Sequence, residues 1–486
     1  MFSLMHMRHY HALAVLLPAF AAATSVRSQA AEAPAPSELK YPPAQRDSTT
    51  DTYFGTQVPA PYQWMEELDS PALQQWVEEE NKLAFSYLEK IPVRNWMKER
   101  LTTLWNYARE STPELVEGGR IFLGKNSGLQ NQSVVYFQDP GAPAPNLLLD
   151  PNTLSADGSL ALLGYQPSPH GVYLAYNLSQ GGSDWLTIHV REVATGKDLP
   201  DTIRWVKFSG LAWTKDGKGF FYSRYPEPPA GKSISQQVIN QKIYYHRLGT
   251  EQSADPLIYE RPDLPAWMSG GSVTEDGRYL FIYLQNGTAP QNELFYLDLR
   301  SPLKPSISGE PKPLYTKNDA EYGVIGHAGK TLFIQTTLDA PKRRIVAARL
   351  DQPDPAHWRV LVPEGEGVIQ ASSMAGGQIL VNYEVVAKSR LALFSTEGRP
   401  LGELSLPAMA PSVGSLRATT RTPFIMGSRL FSTPIRCIGT NSRRARRTCS
   451  SSPRSISIQP PTISSRSFIH PRPARRFRCS SSRNGT

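Results

Sequence analysis

Cysteine is absent from the first 416 residues of this 486-residue chain, and its three cysteines, Cys437, Cys449 and Cys479, all lie near the C-terminus. No disulfide can therefore cross-link the main body, whose stability must come from a buried core that a chain of this length can supply. The three cysteines are too irregularly spaced for a zinc site. No metal-ligand spacing and no phosphate-binding glycine loop occurs elsewhere. We therefore predict neither a metal nor a cofactor.

Acidic residues and lysine are absent from Arg417 to the C-terminus, a segment with fifteen Arg and fourteen Ser. The chain has a formal charge of +9, yet residues 1–416 hold 37 basic and 43 acidic groups. The positive charge thus belongs to the tail and indicates no anionic partner for the body. A reading-frame change in a GC-rich gene produces this bias. We interpret residues 417–486 as an aberrant, disordered tail; a functional Arg/Ser tail is the alternative.

The N-terminus lacks a hydrophobic run long enough for a membrane span. Residues 1–30 contain Arg8, an apolar run from Ala12 to Ala23, and small residues up to Ala30, the pattern of a secretory signal peptide. The run is twelve residues long, whereas a span needs about twenty, so a retained anchor is the weaker alternative. We expect a mature chain that begins near Ala31, lies in the periplasm or outside the cell, and has neither a membrane span nor a nucleic-acid partner.

Residues 31–110 have helical periodicity. Ser70 is a plausible N-cap with Pro71 at the first helical position, and apolar residues recur on one face of the helix that follows. A second helix is predicted in "RNWMKERLTTLWNYA", from Arg94 to Ala108. Two helices cannot bury the four tryptophans of this region alone. We predict packing against another domain; a ligand-binding role for the tryptophans is the alternative.

Residues 111–416 repeat a short pattern in which a glycine precedes a hydrophobic triplet. The spacings between successive glycines are 52, 46, 60, 52 and 48 residues. A period near fifty with several short strands per repeat is typical of propeller blades. A pair of β-sandwiches is the alternative, although it would not keep one phase over six units. The six glycines are Gly119, Gly171, Gly217, Gly277, Gly329 and Gly377.

A seventh unit is incomplete in the sequence. It should start near residue 427, where "GSRLFS" at Gly427 could form one strand. The residues that follow are rich in Arg, Ser and Pro and do not alternate. We therefore predict a mainly β fold with six blades of an expected seven, preceded by a helical segment. The expected result is an open ring with exposed strand edges.

Four stretches carry a family resemblance. They are "DTYFGTQVPAPYQWMEELDSPALQQWVEEEN" (51–81), "GLQNQSVVYFQDP" (128–140), "GGSDWLTIHV" (181–190) and "VKFSGLAWTKDGKGFFYSRYPEP" (206–228). They resemble the prolyl oligopeptidase family of serine peptidases. The resemblance implies a seven-bladed propeller inserted between an N-terminal helical segment and a C-terminal α/β-hydrolase domain, with the propeller covering the active site. It also implies cleavage after proline in short peptides, and monomeric intact members.

The catalytic part of that family has no counterpart in the sequence. The family uses a Ser nucleophile on a strand-to-helix elbow, followed by Asp and His. No serine here lies in a G-x-S-x-G frame, and the nearest, Ser183 and Ser272, lack the second glycine. Because loss of a triad removes most of the rate, we predict no catalytic residue and an inactive chain.

The resemblance also implies a substrate-facing wall on the propeller. Phe208, Met268 and Thr288 match family residues that line the pocket beyond the proline subsite, and apolar groups are typical of such sites. Ordinary packing within the blades is the alternative. Gln285 stands where some family members carry Arg, so a charged contact with the substrate backbone is in doubt there.

Two hypotheses follow from different classes. In the first, the chain is an inactive portion of an exported prolyl oligopeptidase whose tail is frameshifted, and its ligands are short proline-containing peptides. In the second, it is a non-enzymatic propeller module whose basic tail binds an anionic partner by charge.

Overall fold

The computed structural model describes residues 39–68, 70–229 and 237–404, and the backbone of three further strands between residues 412 and 440. The predicted signal peptide and residues 441–486 of the predicted tail lie outside the described residues. Within these ranges, no helix is both long and apolar enough to cross a membrane.

The N-terminal segment comprises a hairpin of β1 (Thr50–Tyr53) and β2 (Thr56–Pro59), then α1 (Pro71–Glu89) and α2 (Arg94–Trp105). Both predicted helices are confirmed. Ser70 caps α1 as predicted, because its side chain accepts a hydrogen bond from the backbone N–H of Leu73 at 3.3 Å. That bond satisfies one of the free N–H groups of the first helical turn.

Most of the apolar surface of the two helices is exposed. Leu73 is the one buried residue of α1, and α2 buries none. Trp96 and Trp105 are 67% and 61% exposed. Tryptophan side chains normally bury most of their surface, so these helices present an unpartnered apolar surface, as the sequence predicts.

Six antiparallel sheets follow, and we call them blades 1 to 6. Consecutive strands are neighbours in every blade, and in blade 1 two short strands, β3 and β4, both pair with β5. The strands of blades 1 to 3 are β3 (Arg109–Glu110), β4 (Glu114–Leu115), β5 (Ile121–Asn126), β6 (Val134–Gln138), β7 (Asn146–Leu149); β8 (Leu160–Pro167), β9 (Tyr173–Gln180), β10 (Leu186–Glu192), β11 (Asp198–Val206); β12 (Leu211–Trp213), β13 (Gly219–Arg224), β14 (Lys242–Arg247) and β15 (Leu257–Tyr259).

Blades 4 to 6 repeat the same meander of four strands. Their strands are β16 (Met268–Val273), β17 (Tyr279–Gln285), β18 (Asn292–Asp298), β19 (Lys312–Tyr315); β20 (Tyr322–Ala328), β21 (Thr331–Thr336), β22 (Arg344–Arg349), β23 (Arg359–Val362); β24 (Val368–Ala375), β25 (Gln378–Val385), β26 (Lys388–Ser395) and β27 (Pro400–Leu404). The propeller predicted from the repeat is confirmed. Its first strand begins at Arg109, two residues before the predicted domain boundary.

The repeated glycine has one structural role in all six blades. Each glycine lies one or two residues before the second long strand of its blade, in the turn that enters that strand, with φ between +58° and +88°. This left-handed conformation favours glycine, since a Cβ makes it costly. The glycine repeat in the sequence therefore corresponds to one such turn in each blade.

Blades 2 to 5 each bury apolar side chains on both faces, because each packs between two neighbouring blades. In β17, Leu280 and Ile282 face blade 3, whereas Tyr279 and Phe281 face blade 5. Five such clusters fill the five interfaces between the six blades. The first strands of successive blades also contact each other, as with β12 and β16, so the blades converge toward a common axis.

A seventh sheet follows blade 6, and this differs from the open ring that the sequence predicts. Its three strands are β28 (Ser412–Arg417), β29 (Phe424–Leu430) and β30 (Thr433–Thr440). β28 contacts blade 6, and β30 approaches β3 of blade 1. Gly427, predicted to open a strand, lies inside β29. These contacts with neighbouring blades account for the difference, because tertiary context can override weak local propensity. Among the described residues the seventh sheet has three strands.

Gly219, at the start of β13, provides a test of packing between the strands. A Cβ on Gly219 would overlap the carbonyl oxygen of His246 and approach the ring of Tyr245, whereas a Cβ on Gly164 in β8 meets nothing within 4 Å. We expect Gly219→Ala to lower the free energy of unfolding by about 1–3 kcal/mol, a typical cost of overpacking. Gly164→Ala should change it by less than about 0.5 kcal/mol. Urea unfolding followed by tryptophan fluorescence measures both, and equal stability of the two variants would contradict this packing.

Candidate functional site

The three sequence-predicted site residues lie at one end of the blades. In an antiparallel meander, the links between blades and the loops between second and third strands share one end, which we call the linker face. The glycine turns occupy the other end, the glycine face. Phe208 lies between β11 and β12, Met268 begins β16, and Thr288 lies between β17 and β18. All three therefore belong to the linker face of blades 2 to 4, which we call the seam: Phe208 lies in the link between blades 2 and 3, and Met268 and Thr288 belong to blade 4.

A buried amide joins the backbones beside Phe208 and Met268. Gln241, 4% exposed, donates from Nε2 to the carbonyl oxygen of Lys207 at 2.8 Å. Its Oε1 accepts from the backbone N–H of Ser269 at 2.7 Å. One side chain thus fixes the residue before Phe208 and the residue after Met268. Sequence reasoning missed Gln241 because an isolated glutamine carries no motif.

Ser223 forms a second bridge between the same two segments. Its backbone N–H donates to Oγ of Ser209 at 2.8 Å, and its own Oγ donates to the carbonyl oxygen of Ser269 at 2.7 Å. Ser223 is 1% exposed, so its hydroxyl bond to Ser269 is buried, whereas its backbone bond to Ser209 is partly buried. The two bonds join the same segments as Gln241, and a buried hydrogen bond is stronger than a solvated one.

The Thr288 loop is fixed from within. Gln285, which pairs with Met268 across the β16–β17 ladder, donates its side-chain N–H to the carbonyl oxygen of Ala289. The amide is therefore used to shape the loop that carries Thr288, whose side chain is exposed. Some family members are expected to carry Arg at this position. In this chain the neutral side chain of Gln285 holds the loop instead.

Phe208 is 60% exposed and shares the ammonium group of Lys207 with a cluster of aromatic residues around Trp185. Trp185 contacts Trp205 and Tyr225 edge-on, with ring centroids 5.8 and 6.0 Å apart. Lys207 lies over the Trp185 and Phe208 rings. Trp185 and Lys207 belong to two of the motifs that carry the family resemblance, but no pattern within those motifs assigns them to the site. The exposed side chains here offer apolar contact surface without an obvious nucleophile.

Tyr283, on β17, does not supply a base. Burial raises its pKa to about 12, although the hydrogen bond from the backbone N–H of Val324 opposes this. The phenol therefore stays protonated at neutral pH.

The two serines nearest to a nucleophile motif are also unsuited to catalysis. Ser183 and Ser272 make no hydrogen bond to a histidine among the described residues, and Ser183 Oγ accepts a hydrogen bond from the backbone N–H of Trp185.

His246 lies between two carboxylates but is sealed in the core. Its Nε2 is 2.9 Å from Asp201 and its Nδ1 is 2.9 Å from Asp255, which also accepts a hydrogen bond from Tyr222. His246 is 0% exposed, so no substrate can reach it. Since Asp201 belongs to blade 2 and His246 to blade 3, the cluster joins two blades. Its burial makes this histidine a core residue.

A surface groove lies elsewhere on the propeller. It measures about 340 Å³ and is lined by His170, Asp216, Lys218 and Arg247, among others. These residues surround the Gly171 and Gly217 turns, on the glycine face. The groove is therefore remote from the seam that carries Phe208. Among the described residues, no three His, Cys, Asp or Glu side chains are placed to hold a metal ion.

Comparison with known proteins identifies the family. A family model described as "Prolyl oligopeptidase, N-terminal beta-propeller domain" matches residues 42–453. The chain belongs to the prolyl oligopeptidase family. The match extends into the segment predicted as an aberrant tail and includes β29 and β30. The family resemblance drawn from the four motifs is thus confirmed over the propeller and the helical segment.

Relatives of this prolyl oligopeptidase chain are peptidases. A prolyl endopeptidase of Elizabethkingia miricola is 35% identical over 406 residues, which cover 83% of this chain and 55% of the relative. The dual function macrocyclase-peptidase POPB of Galerina marginata is 31% identical over 421 residues, covering 81% and 57%. The chain therefore spans a little over half the length of these relatives.

Solved structures agree with the fold of this prolyl oligopeptidase chain. Prolyl oligopeptidase B from Galerina marginata, bound to a 35mer hydrolysis and macrocyclization substrate, matches with a TM-score of 0.72 and 30% identity. The match covers 83% of this chain and 58% of that structure. The same protein bound to a 25mer macrocyclization substrate matches with a TM-score of 0.74 and 28% identity.

The His246 cluster predicts a pH dependence of stability. Burial alone lowers the pKa of His246, but the hydrogen bonds and charges of Asp255 and Asp201 outweigh it and raise the pKa above 6.5. The stabilisation that protonated His246 gives the folded state is therefore complete below pH 6.5 and is lost as the pH rises through the raised pKa. We expect His246→Gln to cost about 3–5 kcal/mol at about pH 6, as for a broken buried pair, and clearly less at about pH 9.

Urea unfolding at both pH values measures this difference. His357→Gln, at an exposed position, is the matched control and should leave the free energy of unfolding unchanged. A cost for His246→Gln that does not vary with pH would contradict a charged histidine in the core.

Proposed function

We propose that this chain is the peptide-contacting propeller portion of an exported prolyl oligopeptidase and does not itself cleave peptides. The observation that carries the proposal is the seam on the linker face of blades 2 to 4, where the buried Gln241 joins the segments that carry an exposed Phe208 and a half-buried Met268. A rigid apolar wall of this kind suits recognition of peptide side chains. The relatives that share the propeller are named as prolyl endopeptidases.

The exposed surface of α1 and α2 supports the same proposal. In the family, the N-terminal helical segment joins a hydrolase domain. Exposed Trp96, Leu101 and Trp105 on α2 are the residues that such a domain would cover, because exposed apolar clusters mark contact surfaces.

The lack of hydrolysis follows from the chemistry of the chain. A serine peptidase needs a nucleophile activated by a histidine and oriented on an elbow. No G-x-S-x-G frame occurs in the sequence, and His246, the histidine held between two carboxylates, is buried. The chain can therefore hold a peptide without attacking its amide bond.

Peptide binding tests this role. We expect a fluorescein-labelled short peptide with an aromatic residue before proline to bind the chain, as measured by fluorescence polarisation. Phe208→Ala should weaken binding about tenfold, since it removes an aromatic contact. Leu303→Ala is the matched control: Leu303 is 81% exposed and lies between β18 and β19, on the glycine face. Equal loss in both variants, or no binding by the unaltered chain, would contradict the proposal.

We also propose export through a cleaved signal peptide. Arg8 and the twelve-residue apolar run after it support this proposal. Expression of the full gene in a Gram-negative host should give a periplasmic product whose N-terminus lies near Ala31, as read by mass spectrometry. A product that keeps Met1 and stays in the cytoplasm would refute it.

We propose further that the tail after about Arg417 is read in a shifted frame. The complete loss of Asp, Glu and Lys from that point supports the proposal. Sequencing of the DNA downstream of the codon for Ala418, translated in all three frames, should reveal a complete seventh blade followed by a G-x-S-x-G motif in another frame. Absence of both from every frame would overturn it.

A further inference from the structure

We infer that Lys207 is a positioning residue for Phe208: its ammonium group, layered between the rings of Phe208 and Trp185, holds the exposed Phe208 ring in the orientation that contacts peptide. This inference rests on the proposed peptide-contacting role of Phe208. It assigns a function to the side chain of Lys207, which neither the sequence motifs nor the hydrogen bonds of Gln241 and Ser223 explain.

The layered geometry is seen in three distances. Lys207 Nζ lies 5.4 Å from the centroid of the Trp185 ring and 5.3 Å from that of Phe208. Both values are within the range of about 6 Å over which a cation is attracted to the face of an aromatic ring. Nζ also lies 3.3 Å from a carboxylate oxygen of Asp184, which balances the charge.

Exposure shows which member of the layer faces outward. The side chain of Lys207 is 15% exposed, whereas Phe208 is 60% exposed. A lysine normally places its ammonium group in water. Here the charge is covered and the ring is presented to solvent, so the lysine forms the support and the phenylalanine forms the contact surface.

The support beneath Lys207 is itself rigid. Trp185 contacts Trp205 and Tyr225 edge-on, with interplanar angles of 85° and 90°, and Tyr225 is 5% exposed. The backbone N–H of Tyr225 also donates to the carbonyl oxygen of Trp205 at 3.0 Å. Trp185 therefore offers a fixed surface on which the ammonium group can rest.

Backbone strain indicates that the orientation of Phe208 is imposed. Phe208 has φ of +52° and Trp205 has φ of +60°, a left-handed conformation that is rare for bulky residues. Such strain persists where the surroundings determine the conformation and is common at ligand-contacting positions. The carbonyl oxygen of Lys207 accepts a hydrogen bond from Gln241 and the side-chain Oγ of Ser209 accepts one from Ser223, so residues on both sides of Phe208 are held. The direction of the ring is then what the cation of Lys207 determines.

The alternative is that Lys207 only pairs with Asp184 and stabilises blade 2. If Lys207 orients the Phe208 ring, a neutral side chain of similar length at position 207 should change the orientation of that ring. If Lys207 only pairs with Asp184, the orientation should stay the same. Lys207→Met keeps the apolar stem and removes the charge, whereas Lys207→Arg keeps the charge. Lys242→Met is the matched control, since Lys242 also forms one ion pair, with Glu260 at 2.7 Å.

A ligand-free measurement tests the positioning directly. With 4-fluorophenylalanine incorporated at position 208 of the full chain, we expect one dispersed ¹⁹F resonance. Lys207→Met should move it toward the shift of the unfolded chain, Lys207→Arg should largely restore it, and Lys242→Met should leave it in place. An unchanged resonance in Lys207→Met overturns the inference, whether or not the chain binds peptide.

A double-mutant cycle then tests the effect on binding of the fluorescein-labelled proline peptide. Lys207→Met should weaken binding about fivefold in the unaltered chain and not at all in a Phe208→Ala background, because coupled residues are not additive. An undiminished loss in that background would show that Lys207 acts independently of Phe208, and the inference would be wrong. Absence of peptide binding by the unaltered chain would reject the proposed function, while the ¹⁹F result still decides whether Lys207 orients the ring.

Discussion

Burial of both faces of each sheet between two neighbours is the constraint on which the rest of this structure depends. A four-stranded sheet cannot cover its own apolar faces, so each blade requires the next. The side chains of β17 illustrate this, because alternate residues enter the clusters shared with blade 3 and with blade 5. Linker-face segments such as residues 207–210 acquire fixed positions only because these interfaces fix the blades they join.

Hydrogen bonds between polar groups then hold the linker-face segments in place between the packed blades. Gln241 and Ser223 connect the segments around Phe208 and Met268 in places that water does not reach. Each bond would contribute little on a solvated surface, but an unsatisfied partner in the core is costly. The seam on the linker face of blades 2 to 4 therefore has one geometry, and the strained Phe208 backbone is tolerated there.

Local signals in the sequence predicted a large part of the fold. The positive-φ turns required glycine, so the six repeats could be counted, and the Ser70 cap placed the start of α1. These features depend on one residue and its immediate backbone. The linker-face location of Phe208, Met268 and Thr288 follows from the strand order and agrees with the family resemblance, although their binding role stays a prediction.

Features that depend on several distant segments were not predictable. The Gln241 bridge joins residues 34 and 28 positions away, and the position of the Lys207 ammonium depends on the packing of Trp185. The seventh sheet was missed for a different reason. Its composition indicated no blade, yet β28 and β30 have neighbours in blades 6 and 1, and this tertiary context can override weak local propensity.

The central claim is that the chain retains the peptide-contacting wall of a prolyl oligopeptidase without the nucleophile. Incubation with a fluorophosphonate, followed by intact-mass measurement, tests it most directly when a chromogenic proline reporter is assayed in parallel. We predict no covalent adduct and no release of the chromophore. One adduct per chain, together with reporter cleavage that the fluorophosphonate abolishes, would contradict the account.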